Sequence, residues 1–438
     1  MANSAFYHND PQRSQPDLQQ HYDAPYGRGG TGFIQDIPMV APKYGHRDSQ
    51  VNMGGRVYSS AESSPPKDAW RESSATRNNT SSRSNLKWML IGGIALFGFL
   101  GAGTAVALVL SKKNAPASSS SVSPGSSTLS NSDPSSFAKD PALAQSFYGI
   151  AYTPEGSQMP NCGNSLNDVI TDIQLLSQLT TRIRLYGADC NQTELVLEAI
   201  KQTDVNMTVW LGNYAVATDD GAAYTRQRDA IKTAIQKYGM EHIGGLTVGN
   251  EFILNYLEAN NATDPNGPVG NAGAAILIAN IEDTRSMMRD LSLTNVAIGT
   301  SDAGSFFNTK ILAAVDYGMA NVHPWFADTT IQDAAGWTAE FFSDTDLKAA
   351  AAVSNAPQMY IAETGWPTGA SNSVASEANL QIFLDTFVCQ ANKNGTKYFF
   401  FEYFDEKWKD ELFGGVEGHW GLFYHNRTLK GITIPTCG

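Results

Sequence analysis

The sequence predicts an α/β fold, a (β/α)8 TIM barrel over residues 146–438, and two observations carry that prediction. Eight short apolar runs alternate with mostly helical patterns across this stretch, as in a barrel of parallel strands. Two of the runs end at a glutamate, and barrels of this kind place reactive groups at their strand ends. The competing fold is an open doubly wound sheet, but residues 152–156 lack the glycine-rich turn that usually follows its first strand.

Each element follows from its own residue pattern. The strand runs are aliphatic and aromatic, and polar residues, glycine or proline bound them. In chain order they cover 147–152, 182–186, 207–211, 243–248, 296–300, 318–323, 359–362 and 397–401. Apolar residues at intervals of three and four predict helices over 166–178, 224–238, 274–291, 337–352 and 378–392.

Three segments are predicted before the barrel. Residues 1–87 are rich in Gln, Asn, Ser, Pro and Gly with little periodicity, which predicts a disordered cytoplasmic tail. Residues 88–110 are uncharged, and a helix of that length, at about 1.5 Å per residue, crosses a membrane. A buried core helix is the alternative for this segment. Residues 111–145 are predicted to form a flexible Ser/Pro-rich linker.

The flanks of residues 88–110 predict a single-pass type II protein of the cell membrane, with the barrel outside the cell. Basic residues are more frequent before the segment than close after it, which favours a cytoplasmic N-terminus. All four cysteines follow it, as do five N-glycosylation acceptors in the barrel region, and both suit an oxidising, glycosylating compartment. The acceptors are Asn191, Asn206, Asn261, Asn394 and Asn426.

The four cysteines allow three pairings. We expect Cys162 to pair with Cys190, on a neighbouring loop. Cys389 would pair with Cys437 and hold the chain end. Free buried cysteines are the alternative.

Composition and motifs exclude several classes of function. The net charge is −13, with the acidic excess in the barrel region, so we expect no nucleic-acid partner. The histidines of the barrel region lack metal-ligand spacing, and the sequence contains no P-loop motif, so no metal or cofactor is expected. The segment 299–304 lacks the Gly-x-Ser-x-Gly spacing of a serine hydrolase.

Two glutamates are the candidate catalytic residues. Glu251 follows the fourth strand run and Glu363 follows the seventh, so a barrel would bring both to one end. A retaining glycosidase needs one protonated and one ionised carboxyl, about 5–5.5 Å apart. We assign Glu251 as acid/base and Glu363 as nucleophile, with Asn250 binding the sugar hydroxyl beside the reacting carbon. The alternative is that each is an ordinary acid near a helix N-terminus.

These residues resemble a known family. Residues 361–368, Ile-Ala-Glu-Thr-Gly-Trp-Pro-Thr, are similar to the signature of glycoside hydrolase family 17, and 248–251 resemble its acid/base strand. Residues 401–409 and 420–423 resemble its last strand and C-terminal turn. The resemblance covers about residues 146–438 and implies a (β/α)8 barrel, retention of configuration, no metal, and β-1,3-glucan as substrate. The anchor and linker resemble those of fungal type II membrane members that act on the cell wall.

Further residues are expected to line a sugar cleft. Sugar rings lie flat on aromatic rings, and aromatic residues occur at or just beyond several predicted strand ends. They are Tyr152, Tyr186, Trp325, Trp366 and Tyr403. His323 ends the sixth strand run, and Glu406 and Lys409 resemble polar cleft positions of the family. Core packing is the alternative for His323 and the aromatic residues, and a surface ion pair is the alternative for Glu406 and Lys409.

The expected activity is therefore retaining endo-hydrolysis of β-1,3-glucan in the cell wall. One alternative is a β-1,3-glucan transglycosylase that uses the same residues to remodel the wall. The other is a non-catalytic wall-binding or sensor protein.

Overall fold

Eight parallel strands, β1 to β8, close into a barrel in chain order in the computed structural model, which describes residues 133–369 and 374–437. Pairing of β8 with β1, with Phe399 opposite Gly149 and Phe400 opposite Ile150, closes the barrel. The predicted barrel is thereby confirmed. The strands are β1 (Gly149–Ala151), β2 (Arg182–Arg184), β3 (Thr208–Asn213), β4 (Ile243–Asn250), β5 (Ile298–Ala303), β6 (Tyr317–Asn321), β7 (Gln358–Thr364) and β8 (Tyr398–Phe400).

Each strand is followed by at least one helix in the sequence. The helices are α1 (Leu166–Leu176), α2 (Gln192–Thr203), α3 (Ala222–Tyr238), α4 (Phe252–Ala259), α5 (Pro268–Asp290), α6 (Thr309–Leu312), α7 (Ala334–Phe341), α8 (Lys348–Ala351), α9 (Glu377–Lys393) and α10 (Lys407–Phe413). Short 3-10 turns occupy Asp189–Asn191 and Gly304–Phe306.

The helices differ from the predicted set in two ways. The sequence prediction omitted α2, α4, α6 and α10, although the buried positions Val196, Leu197 and Ile200 of α2 do show helical spacing. The helix predicted over 337–352 is instead α7, a π-helical turn over Phe342–Leu347, and α8. Phe342 and Asp346 of this wider turn are both buried.

Four strands reach further than predicted toward their carboxyl ends, which together form the mouth of the barrel. Strand β3 continues to Asn213, β4 to Asn250, β5 to Ala303 and β7 to Thr364. The pairing register shifts close to the ends of β4, β6 and β7. Such irregularities change the direction of side chains at barrel rims. The polar residues of the mouth remain paired within the sheet. Strand β6, by contrast, ends at Asn321, before the predicted 323.

Two of the three hydrophobic clusters among the described residues hold the barrel together. The larger one includes Ile150, Ile183 and Val209 and packs the strands against the helices. The smaller one consists of Trp210, Tyr317, Met319, Ala362 and Phe399. Its Tyr317 ring requires Gly299, because a Cβ there would lie 2.3 Å from Tyr317 Cε2.

The segment that enters the barrel is held against the C-terminal end of α1. Gln174 Nε2 donates to the Pro134 carbonyl at 2.8 Å, and the Asp140 N–H donates to Gln178 Oε1 at 2.7 Å. Gln145 Nε2 donates to the Ser177 carbonyl at 2.6 Å. Residues 133–145, predicted to be part of a flexible linker, are therefore attached to the barrel.

Two disulfides link the described cysteines, and they are the pairs that we expected. Cys162–Cys190 joins the loops after β1 and β2, with a Cα–Cα distance of 5.2 Å. Cys389–Cys437 joins α9 to the end of the described chain, also at 5.2 Å. Asn392 of α9 donates to the Ser146 carbonyl at 2.7 Å, so both ends of the barrel segment meet near α9.

The predicted tail over 1–87, the predicted transmembrane helix over 88–110 and the linker up to residue 132 lie outside the described residues. Within 133–369 and 374–437, no helix has the length and apolar character of a membrane span.

Candidate active site

The two candidate catalytic glutamates lie at the mouth of the barrel. Glu251 directly follows β4, and Glu363 is the penultimate residue of β7. Both are buried, with 9% and 4% of their surfaces exposed. Two remote carboxyls therefore share one low-dielectric region, where their surroundings determine which one holds a proton.

Arg184, at the end of β2, links the two strand ends. Its Nη1 lies 3.0 Å from Glu363 Oε1, and its Nη2 donates to Asn250 Oδ1 at 2.7 Å and to Ser301 Oγ at 2.9 Å. Nη1 also donates to the Ala362 carbonyl at 3.0 Å. The guanidinium is 1% exposed, so its charge acts on Glu363 with little screening by water.

Asn321, at the end of β6, completes the link. Its Nδ2 donates to Glu251 Oε1 at 3.1 Å and lies 3.4 Å from Asn250 Oδ1. A continuous chain of polar contacts thus runs from Glu251 through Asn321, Asn250 and Arg184 to Glu363. We call these five residues the polar network.

The polar network and its neighbours shift the two pKa values in opposite directions. Burial, followed by the charge of Glu363, raises the pKa of Glu251 well above its ordinary value. Burial would also raise the pKa of Glu363, but the hydrogen bond from His323 and the charge of Arg184 lower it below the ordinary value. The arrangement therefore favours a protonated Glu251 beside an ionised Glu363, as a carboxyl pair with divided acid and nucleophile roles requires.

His323 contacts Glu363 directly, with Nε2 at 3.0 Å from Oε2. The imidazole lies against the rings of Phe401 and Trp420, with centroid distances of 5.3 and 5.0 Å. The predicted site residue His323 therefore faces the mouth, and aromatic rings fix its orientation.

A buried lysine forms a second charged group beside Glu363. Lys409 Nζ lies 2.8 Å from Glu402 Oε2 and 3.3 Å from Glu406 Oε2. Burial lowers the pKa of Lys409, but the two carboxylates outweigh burial and raise it. The predicted pair of Glu406 and Lys409 is therefore buried, which excludes the surface ion pair. Glu417 is buried near this group, and burial raises its pKa to about 7.

The predicted aromatic residues separate into two groups. Tyr186 and Trp325 are partly exposed, and the Tyr186 ring lies 4.4 Å from the Arg184 guanidinium, so both can meet a sugar at the mouth. Tyr152 is buried on the outer side of the barrel, where its hydroxyl donates to Asp172 of α1 at 2.8 Å. Tyr403 is buried against the Tyr152 ring at 5.7 Å.

Trp366 is also buried, and Nε1 donates to the Val374 carbonyl at 3.0 Å. Its ring supports Trp325, with the centroids 5.3 Å apart. The expectation that Tyr152, Tyr403 and Trp366 present faces to a sugar is therefore corrected. A strand end does not by itself determine on which side of the wall a side chain lies.

Several residues of the mouth were missed in the sequence. Asn321 ends a mostly apolar run, so the signal that identified Glu363 was present for it too, whereas Asp302 follows the polar Thr300 and Ser301. Tyr214, after β3, lies close enough to Glu251 and Glu363 that their charges, after burial, raise its pKa. To predict that Glu402 lies at the mouth requires the register of β8, which the sequence alone does not provide.

The five predicted glycosylation acceptors are all exposed: Asn191, Asn206, Asn261, Asn394 and Asn426. Within residues 133–369 and 374–437, no group of three or more His, Cys, Asp or Glu side chains is arranged to hold a metal ion.

Comparison with known proteins agrees with this geometry. A family model described as the BtgE/BtgC glycoside hydrolase domain matches residues 149–421. The chain belongs to this glycoside hydrolase family. The matched region spans all eight strands and includes every residue of the polar network.

Two curated relatives illustrate the similarity. The putative glucan endo-1,3-beta-glucosidase btgC of Aspergillus niger is 37% identical over 324 residues, which cover 68% of this chain and 44% of that protein. The glucan endo-1,3-beta-glucosidase btgC of Emericella nidulans is 33% identical over 319 residues, covering 68% and 47%. The aligned part spans less than half the length of these relatives.

Solved structures give the same fold. An active-site mutant of the Rhizomucor miehei beta-1,3-glucanosyltransferase in complex with laminaritriose has 25% identity and a TM-score of 0.54, covering 67% of this chain and 99% of that one. A glycoside hydrolase family 17 beta-1,3-glucanosyltransferase from the same organism has 25% identity and a TM-score of 0.53, covering 66% and 98%. An endo-laminarinase from Formosa, at 18% identity and a TM-score of 0.52, covers 67% and 92% and supports the fold alone.

Proposed function

We propose that this glycoside hydrolase cleaves internal bonds of β-1,3-glucan with retention of configuration. The observation that carries the proposal is the polar network, which joins two buried carboxyls whose pKa values are shifted in opposite directions. The names of the relatives, which are glucan endo-1,3-beta-glucosidases, support the substrate.

In the proposed mechanism, Glu251 protonates the glycosidic oxygen while Glu363 attacks the anomeric carbon. The leaving sugar departs with the proton, and a glycosyl ester on Glu363 remains. Glu251, now ionised, takes a proton from water, and the water oxygen displaces Glu363. Arg184 and His323 stabilise the Glu363 carboxylate at the start and end of the cycle, when its charge is present.

The test is the stereochemistry of the first product. The full-length chain is incubated with linear β-1,3-glucan, and NMR follows the anomers before mutarotation. We expect the β-anomer to appear first, and we expect Glu363→Gln to abolish turnover while glucan binding persists. The matched control is Glu258→Gln, a half-buried glutamate of α4 outside the polar network. An α-anomer first, or unchanged hydrolysis by Glu363→Gln, would refute the mechanism.

A β-1,3-glucan transglycosylase is the second candidate, and the likeness to two Rhizomucor miehei glucanosyltransferase structures favours it. The same glycosyl ester would then be intercepted by a second glucan instead of water. A single laminari-oligosaccharide of defined length distinguishes the two activities. Products longer than the input indicate transfer, and shorter products alone indicate hydrolysis. Glucan binding without any turnover would instead support the third candidate, a wall-binding or sensor protein.

We also propose that residues 88–110 anchor the chain in the cell membrane with the barrel outside the cell. The uncharged stretch supports this proposal, as do the two disulfides and the five exposed glycosylation acceptors. In intact cells, added protease should remove the barrel, and glycosidase treatment should reduce the apparent mass of the chain. Protection from protease, or a mass unchanged by glycosidase, would contradict the orientation.

A further inference from the structure

Glu251 occupies a helix-capping position without using its side chain as a cap. It is the residue before α4, where Ser, Thr, Asp or Asn would normally accept a hydrogen bond from the first turn. Among the described residues, its carboxyl makes no capping bond, and Oε1 instead accepts from Asn321 in the mouth. Its backbone is left-handed, at φ 53° and ψ 36°, a conformation that is strained for a residue other than glycine.

Asp302, at the end of β5, supplies the missing cap. Its Oδ2 accepts from the Ile253 N–H at 2.8 Å, and its Oδ1 accepts from the Leu254 N–H at 3.4 Å. Oδ1 also accepts from the Ala303 N–H at 3.0 Å, which orients the carboxylate. The side chain is buried, with 2% of the residue exposed. These N–H groups of α4 would otherwise have no helical partner.

Ser301, the residue before Asp302 in β5, holds the backbone on the N-terminal side of Glu251. The Ser301 carbonyl accepts from the Glu251 N–H at 3.0 Å, and Ser301 pairs with Asn250 in the sheet. Consecutive residues of β5 therefore fix the backbone on both sides of Glu251. The left-handed turn is determined by β5 and not by the residue that adopts it.

We propose that Asp302 is a positioning residue for Glu251, capping α4 from the neighbouring strand so that the Glu251 carboxyl stays free for the reaction. This inference rests on the proposed role of Glu251. Residues that orient the ligands of a metal typically contribute about tenfold to a hundredfold to activity, and we expect the same scale for Asp302.

Asp302 also carries charge toward Glu251. Glu251 interacts electrostatically with Glu363 from β7, Asp302 from β5, Arg184 from β2 and Tyr214 from the loop after β3. Burial raises the pKa of Asp302 to about 7, so on the alkaline side this group is ionised and opposes loss of the Glu251 proton. Removing the charge should therefore lower the pKa of Glu251 and move the alkaline limb of the rate profile to lower pH.

The experiment compares Asp302→Asn, Asp302→Ser and Asp302→Ala in the full-length chain. Both polar variants lose the charge and keep a side-chain oxygen, which in asparagine reaches as far as Oδ2 does, while alanine loses both. We measure kcat and KM for β-1,3-glucan across pH, together with the melting temperature. We expect kcat to fall about tenfold to a hundredfold for Asp302→Ala, with KM little changed. The polar variants should keep more of the rate and show the alkaline limb at lower pH.

Asp219 is the matched control, because it caps α3 at the same end of the barrel. Its Oδ1 accepts from the Gly221 N–H at 3.0 Å and its Oδ2 from the Ala223 N–H at 2.7 Å. Asp219→Ala should lower the melting temperature and leave the pH profile in place. The inference is overturned if an Asp302 variant that folds keeps the wild-type kcat and alkaline limb, or if all three variants match Asp219→Ala. An inactive wild-type chain would refute the proposed function instead.

Discussion

The ends of β4 and β7 place the same side chain in opposite surroundings. At the β7 end, Glu363 lies 3.0 Å from Arg184 and 3.0 Å from His323, with the charge of Lys409 nearby. At the β4 end, Glu251 accepts a hydrogen bond from the neutral Asn321 and faces the carboxyls of Glu363 and Asp302. Both glutamates are buried, so burial alone cannot distinguish them. The neighbouring cations and acids decide which one is ionised.

Removing each carboxyl in turn tests the comparison most strongly. Glu251→Ala should lower hydrolysis of β-1,3-glucan by about 10²–10⁴-fold, the usual contribution of general acid–base catalysis, and Glu363→Ala should lower it at least as far. Azide, added together with an activated glucoside, should then distinguish the two variants. It should give a β-glucosyl azide with Glu251→Ala, where the glycosyl ester still forms, and an α-glucosyl azide with Glu363→Ala. Azide products of the reverse configurations would exchange the two roles.

Arg184→Met should change the surroundings of Glu363 at the end of β7. Loss of the guanidinium raises the pKa of Glu363, so the acid limb of kcat/KM should move up by about one to three pH units. Breaking a buried pair also destabilises the fold, by about 3–5 kcal/mol, which denaturant unfolding measures. Arg182→Met is the control on the same strand, since Arg182 stacks on Tyr148 at 4.5 Å. An unmoved acid limb in a folded Arg184 variant would contradict the assigned cause.

His323→Ala should act in the same direction but leave the buried pair of Arg184 and Glu363 in place. The lost hydrogen bond to Glu363 should move the acid limb of kcat/KM up by about one pH unit. In His323→Gln the amide group can approach the position of Nε2 and donate to Glu363, so this variant should stay close to wild type. Equal profiles for the two variants would show that packing against Phe401 and Trp420 matters, and not the hydrogen bond.

Asn321→Ala should have the smallest effect, and it should act on Glu251 at the end of β4. The hydrogen bond from Asn321 favours the ionised form of Glu251 and so lowers its pKa. Without it the pKa rises, and the alkaline limb should move up by a few tenths to about one pH unit. The acid limb in the same titration serves as the internal control. A shift of the alkaline limb to lower pH would contradict the assigned effect of the Asn321 hydrogen bond on the pKa of Glu251.

The sequence predicted the two glutamates because each follows an apolar run that a barrel buries. It could not predict Arg184, since side chains alternate across a strand and a shift of one residue reverses the face. The same limit explains Tyr152, which directly follows β1 yet lies outside the barrel against Asp172. Strand ends can be located from composition, whereas the side on which a residue lies depends on register and on the bulges near the mouth.

The attachment of residues 133–145 has a consequence for orientation. Helices return antiparallel to the strands, so the C-terminal end of α1, with Gln174 and Gln178, marks the pole opposite the mouth. The chain therefore enters the barrel at the pole farthest from the mouth. Polymer that approaches Glu251 and Glu363 does not meet this attachment on its way.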